Sequence, residues 1–147
     1  MTDNDCMREA LEEARLAAAT GEMPVGCVIA LDGKIIVRAH NACEALRDAT
    51  AHAELLAIRR AGAATGDWRL NRCTLYVTLE PCPMCAGAIM NAHIPKVYFG
   101  AYDLKNGSCG SVADLFDLPY TFKPHCEGGI LQEECAQLLK DFFKKLR

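Results

Sequence analysis

Two short segments hold residue types that can do chemistry together: His52-Ala53-Glu54, and Pro81-Cys82-Pro83-Met84-Cys85 further along the chain. Proline suits the first position of a helix. With Pro83 there, Cys82 becomes the cap residue and Cys85 lies one turn on, so both sulfurs can reach one metal ion. The partial positive charge and free N–H groups at a helix N-terminus favour thiolate over thiol, and thiolate is the form that binds zinc. His52 and Glu54 are two positions apart, and on a helix flank they would point nearly opposite ways. They converge only at the first turn of a helix, which predicts two helix N-termini facing one point. His52, Cys82 and Cys85 then supply three zinc ligands, with the fourth place left for water, as in catalytic zinc sites. A glutamate beside that water, Glu54, is placed to act as general base.

Each part has a plainer reading. A C-x-x-C pair also serves as a redox couple or as half of a structural four-ligand zinc site. Cys27, Cys73, Cys109 and Cys126 are available for the other half. His52 alone reads as a core or surface histidine, and Glu54 alone as an exposed helix charge. The combination in sequence is what favours catalytic zinc.

The elements that must position these residues follow from periodicity. Met7, Ala10, Leu11, Ala14, Ala17 and Ala18 recur at helical spacing, which predicts a helix from about Asn4 to Ala19, stopping at Gly21. Two β-rich runs flank Asp32-Gly33, a two-residue hairpin signal. A second helix is expected from Thr50 to about Gly62, with Thr50 or Asp48 as its cap. Cys73–Glu80 reads as a buried strand, Pro83 opens a third helix, and Lys96–Ala101 reads as a strand joined to the previous one by a parallel crossover. A short helix near Ser111–Leu118 and a short fifth strand at PHCEGG follow. The last helix places Leu131, Cys135, Leu138, Phe142 and Leu146 on one face. This order suggests a mixed sheet covered by helices on both faces.

Composition limits the function classes. The chain has 147 residues, 51% hydrophobic and 24% charged, the balance of one globular domain rather than a disordered or fibrous chain. Apolar runs are too short for a membrane helix, and the acidic N-terminus does not read as a secretory signal. Net charge is −3. The first 13 residues carry five acids against one base, so the rest is nearly neutral and any nucleic acid must be held by a local patch or a shaped pocket. Nine cysteines cannot all pair internally, and without a sign of export the expectation is reduced thiols in the cytoplasm.

H-x-E followed by P-C-x-x-C is the signature of zinc nucleobase deaminases, the cytidine/deoxycytidylate deaminase-like superfamily. Within it the chain resembles the bacterial tRNA-specific adenosine deaminases along almost its whole length. The similarity runs through Met23–Ile29, His40-Asn41, Ala49–Glu54, Thr74–Ile89, Val97–Ser111 and Gly129–Phe143. The zinc motif carries only the superfamily. The more specific parts are the loop G-A-x-D-x-K-x-G…G-S from Gly100 to Ser111 and the helix E-x-C-A-x-L-L-x-x-F-F from Glu133.

The resemblance implies a three-layer α/β/α fold, a mixed five-stranded sheet with helices on both faces, as a single zinc-dependent deaminase domain over residues 1–147. It implies one zinc ion per subunit on His52, Cys82 and Cys85. Hydroxide generated there attacks C6 of adenine, with Glu54 as proton shuttle, and adenosine becomes inosine. The substrate is then the wobble adenosine of a tRNA anticodon loop, a base already unpaired. Asn41 matches the substrate-contacting asparagine, Val25 lies in one wall of the pocket with Met23 and Pro24, and the backbone amide of Ala53 could touch the base. Asp103 and Lys105 lie in the loop near the substrate. Phe142, Phe143, Lys144, Lys145 and Arg147 would form a basic edge against the RNA, although terminal aromatics and lysines are more often core and solvated surface. The family is homodimeric.

The chain departs from the pattern at His93, where relatives often carry arginine. A mostly neutral histidine would hold RNA or a partner subunit less strongly there. His40 is read as a strand-end residue, since a fourth protein ligand would close the metal site. RNA affinity is expected to come from the folded surface rather than from a basic tail. Two other readings compete: a zinc deaminase of a free base or nucleotide such as guanine or cytosine, and a non-catalytic zinc-stabilised binding protein in which Glu54 is dispensable.

Overall fold

Five strands form one mixed sheet in the order β2-β1-β3-β4-β5 in a computed structural model that describes residues 1–146. Arg147 of the expected basic edge lies outside the described residues. β1 (Gly26–Leu31) and β2 (Lys34–His40) make the hairpin. Asp32 and Gly33 both have positive φ, 51° and 77°, the pair a type I′ turn requires. β1 pairs antiparallel with β3 (Cys73–Leu79). β3 pairs parallel with β4 (Lys96–Ala101), and β4 with the short β5 (His125–Glu127), so the sheet is mixed as expected.

The period of two along each strand divides the core into two layers. Cys27, Ile29, Leu75 and Val77 face one side, where they pack with Ala53, Ala57 and Ala61 of α3 (Ala53–Thr65) and with Ala86 and Ile89 of α4 (Pro83–Asn91). Val28, Ala30 and Tyr76 face the other, against Cys6, Met7, Ala10 and Leu11 of α1 (Asp3–Ala19) and Cys135 of α5 (Gln132–Lys145). Helices thus cover both faces. α1 opens on a capping box, with the Thr2 hydroxyl accepting from Asp5 N–H and the Asp5 carboxylate accepting from Thr2 N–H. It crosses β1 so closely that a Cβ on Gly26 would sit 1.9 Å from the Ala10 carbonyl oxygen.

The structure departs from the expected elements in four places. The second long helix starts at Ala53 rather than Thr50 and ends at Thr65, where Gly66 adopts φ 73°. Asp48 Oδ1 accepts from both the N–H and the hydroxyl of Thr50, a local turn that keeps this segment out of the helix. A short helix α2 (Cys43–Leu46) precedes it and was not expected. The helix near Ser111–Leu118 reduces to a single 3₁₀ turn at Leu115–Asp117. Leu131 and Leu146 flank α5 rather than belonging to it, and Leu146 is 68% exposed. Among the described residues, no helix is long and apolar enough to cross a membrane.

Candidate active site

The N-termini of α3 and α4 meet at one point. His52 caps α3 and Cys82 caps α4, both with extended backbone, and neither side chain bonds its own helix. Their ligating atoms turn to each other instead. His52 Nδ1 lies 3.6 Å from Cys82 Sγ and 3.5 Å from Cys85 Sγ. A tetrahedral zinc ion with ordinary Zn–N and Zn–S bonds separates such a nitrogen and sulfur by about 3.6 Å. The three atoms fit zinc on that measure, and the donor set of one imidazole and two thiols is a zinc set.

Charge in the cluster is arranged for a cation. The contact with Cys85, reinforced by His52, pulls the Cys82 thiol down to about 4 against the effect of burial. The same contact with Cys82, with burial, pushes the Cys85 thiol upward. The pair therefore carries its negative charge on Cys82, and a bound cation displaces the remaining thiol proton. Hydrogen bonding to Cys82 raises His52 despite desolvation. Glu54 sits in the first turn of α3 with 4% of its surface exposed, and burial lifts its carboxyl to about 7.

A cavity of about 440 Å³ opens onto this cluster. Met23, Val25, Asn41, Asp103 and Asn106 line the cavity together with His52, Glu54 and Cys82. Asn41, just past β2, is 7% exposed and its Oδ1 accepts from Ala53 N–H at 2.8 Å. The Ala53 N–H, expected as a contact to the base, thus donates to Asn41 in this structure. Asp103 Oδ1 accepts from the N–H groups of Lys105 and Asn106, so its own loop uses part of the carboxylate. Lys105 is exposed and does not line the cavity.

Other candidates separate from the site. His40 Nδ1 is 2.9 Å from Glu13 Oε1, between β2 and α1, and takes no part in the cluster. Among the described residues the convergent metal-ligating group is His52, Cys82 and Cys85, so Cys27, Cys73, Cys109 and Cys126 do not complete a four-ligand site. His93 has φ 58° and its ring packs between Trp68 and Phe122, at 6.0 and 4.9 Å between ring centres.

Two buried acids on the cavity wall escaped the sequence reading. Glu22 accepts from the N–H groups of Glu44 and Ala45 and so fixes α2. Glu80, at the end of β3, accepts from Asp103, Cys109 and Ser111. The signal available for Glu80 was an acid closing an otherwise apolar strand directly before the Pro-Cys motif.

Residues 1–101, which hold both zinc segments, match the cytidine and deoxycytidylate deaminase zinc-binding region. The chain belongs to this deaminase family. As a deaminase it binds zinc, and the three convergent residues are the group positioned to hold it. It is 46% identical to the tRNA-specific adenosine deaminase of Bacillus subtilis over 142 residues, covering 96% of this chain and 88% of that protein. It is also 46% identical to the tRNA-specific adenosine deaminase of Aquifex aeolicus, over 96% of this chain and 93% of that one. A solved structure from studies of A-to-I editing by tRNA:A34 deaminases superposes with a TM-score of 0.89 at 44% identity, covering 92% of this chain and 99% of the other. A Bacillus subtilis guanine deaminase is more distant, with a TM-score of 0.68 at 36% identity over 79% of this chain and 74% of that one.

Proposed function

We propose that the protein hydrolytically deaminates the wobble adenosine of a tRNA anticodon loop to inosine. The observation that carries this reading is the His52–Cys82–Cys85 cluster with buried Glu54 at the base of a cavity. Similarity to tRNA adenosine deaminases over nearly the whole chain supports the substrate. Zinc held by the imidazole and two thiolates supplies a Lewis acid that makes water a nucleophile at neutral pH.

The remaining steps belong to the chain's own side chains. Glu54 takes the proton of the attacking water and delivers it to N1 of the adenine, then takes the proton of the hydroxyl now on C6 and passes it to the amino group, which leaves as ammonia as the C6 carbonyl forms. Its burial keeps bulk water from competing for that proton. Val25 and Met23 offer apolar surface to the base. The Asn41 Oδ1 is occupied by Ala53, which leaves its Nδ2 donor for an acceptor on the base. A loop base enters such a cavity at low cost because it is already unpaired. Asp103 and Lys105 lie on the loop that would meet the flanking nucleotides. Lys144 and Lys145, in the last turn of α5, extend a cationic edge. We read residues 1–147 as a single deaminase domain that works in the cytoplasm as a homodimer, with one zinc ion per subunit.

The 36% identity to a guanine deaminase gives the second reading, deamination of a free base. Parallel assays of an anticodon stem-loop RNA, free adenosine and free guanine separate the two. Turnover of the RNA alone supports the first reading, and turnover of guanine with inert RNA replaces it with the second.

A further inference from the structure

We infer that Glu80 is a positioning residue for the deaminase reaction, closing the 103–111 loop into a fixed wall of the substrate cavity. The substrate side of this inference rests on the function proposed above. Glu80 is 2% exposed, and both carboxylate oxygens are occupied by that one loop. Oε1 accepts from Asp103 N–H at 3.1 Å and from the Ser111 hydroxyl. Oε2 accepts from Cys109 N–H at 3.1 Å and Ser111 N–H at 3.0 Å. One carboxylate therefore ties the two ends of the loop together.

Three further observations make the loop depend on this anchor. A Cβ on Gly107 would lie 2.4 Å from the Glu80 carboxyl carbon, so the loop closes directly onto the carboxylate. Ser108 N–H donates to the Pro81 carbonyl, one residue before the Cys82 ligand. Asp103 and Asn106 line the cavity beside Glu54 and His52, so their placement follows the anchor. An amide in place of the carboxylate would set an NH₂ group against backbone N–H donors, leaving buried donors unpaired. Glu80 itself has no place at the reacting atoms in this scheme. Its loss should loosen the grip on a substrate larger than the base and leave the chemistry nearly intact.

The test uses the zinc-loaded full chain as wild type, Glu80→Gln and Gly107→Ala, with three readouts: zinc per chain, amide hydrogen exchange in 103–111, and KM and kcat on an anticodon stem-loop RNA. Both variants are expected to retain one zinc and to speed exchange at Asp103, Cys109 and Ser111 by about tenfold or more, the scale of one lost hydrogen bond. KM should rise about tenfold while kcat falls less than about threefold, the pattern of lost binding. Gly107→Ala disturbs the same contact from the loop side, so it serves if Glu80→Gln does not fold. Unchanged exchange, loss of zinc, or a fall in kcat at constant KM would overturn the inference. If wild type leaves the RNA untouched, the functional reading fails, and exchange and zinc content alone decide whether Glu80 orders the loop.

Discussion

Asn41 accepts a hydrogen bond from the backbone N–H of Ala53 at 2.8 Å, joining the end of β2 to the first residue of α3. The bond fixes which end of the Asn41 amide meets α3, because only the oxygen can accept from an N–H. It also occupies one of the N–H groups that a helix start leaves without a partner, directly beside His52.

Substitutions at Asn41 should therefore separate stability from binding. Asn41→Asp keeps an acceptor for Ala53 and removes the donor. Thermal stability is expected near that of wild type, with KM for the RNA raised about tenfold, as for one lost polar contact to substrate. Asn41→Ala also leaves Ala53 N–H buried and unpaired, which costs about 1–3 kcal/mol. Denaturant melts of both variants beside steady-state kinetics check this. Equal stability loss in the two variants would contradict the assigned orientation.

Removing zinc should cost stability as well as activity. The three candidate ligands come from two helix N-termini and an adjoining first turn, so an ion held there would join α3 to α4. Chelation should abolish deamination and lower the melting temperature, since a ligand present at 100 times its Kd contributes about 2.7 kcal/mol. Metal analysis should give one zinc per chain, and added zinc should restore both properties. Cys82→Ser and Cys85→Ser should each lose the ion, whereas Cys109→Ser and Cys126→Ser should retain it.

Gly26→Ala probes the fold away from the chemistry. The new methyl would meet the Ala10 carbonyl at 1.9 Å and the Ala14 nitrogen at 2.6 Å, both helix backbone that cannot rotate aside. α1 must shift off β1, and the expected loss is about 3 kcal/mol or more, at the upper end for overpacking. Gly87→Ala is the control: nothing lies within 4 Å of its Cβ, and alanine favours a helix interior. It should be neutral or slightly stabilising in the same melts.

What could be read in the sequence was local. The type I′ hairpin at Asp32-Gly33, the N1 position of Pro83 and the cap position of Cys82 each depend on neighbours within one turn. The convergence of His52 with the cysteine pair also followed, because it needed only two helix starts and a parallel crossover. The start of α3 was misjudged because Asp48 and Thr50 carry good cap chemistry but use it on each other. Glu80 was invisible because its partners lie 23 to 31 residues downstream in an irregular loop. The engagement of Ala53 N–H was hidden for the same reason, its partner Asn41 being 12 residues away across a turn and a short helix.

The most direct measurement is inosine formation in an anticodon stem-loop carrying a single wobble adenosine, with the zinc-loaded wild type and zinc-loaded Glu54→Gln side by side. Wild type should convert the adenosine. Glu54→Gln should bind the same RNA and the same zinc yet lose about 10²–10⁴-fold in kcat, the scale of a general acid–base group. Conversion by Glu54→Gln at the wild-type rate, or an inert wild type with one zinc bound per chain, would contradict the proposed chemistry.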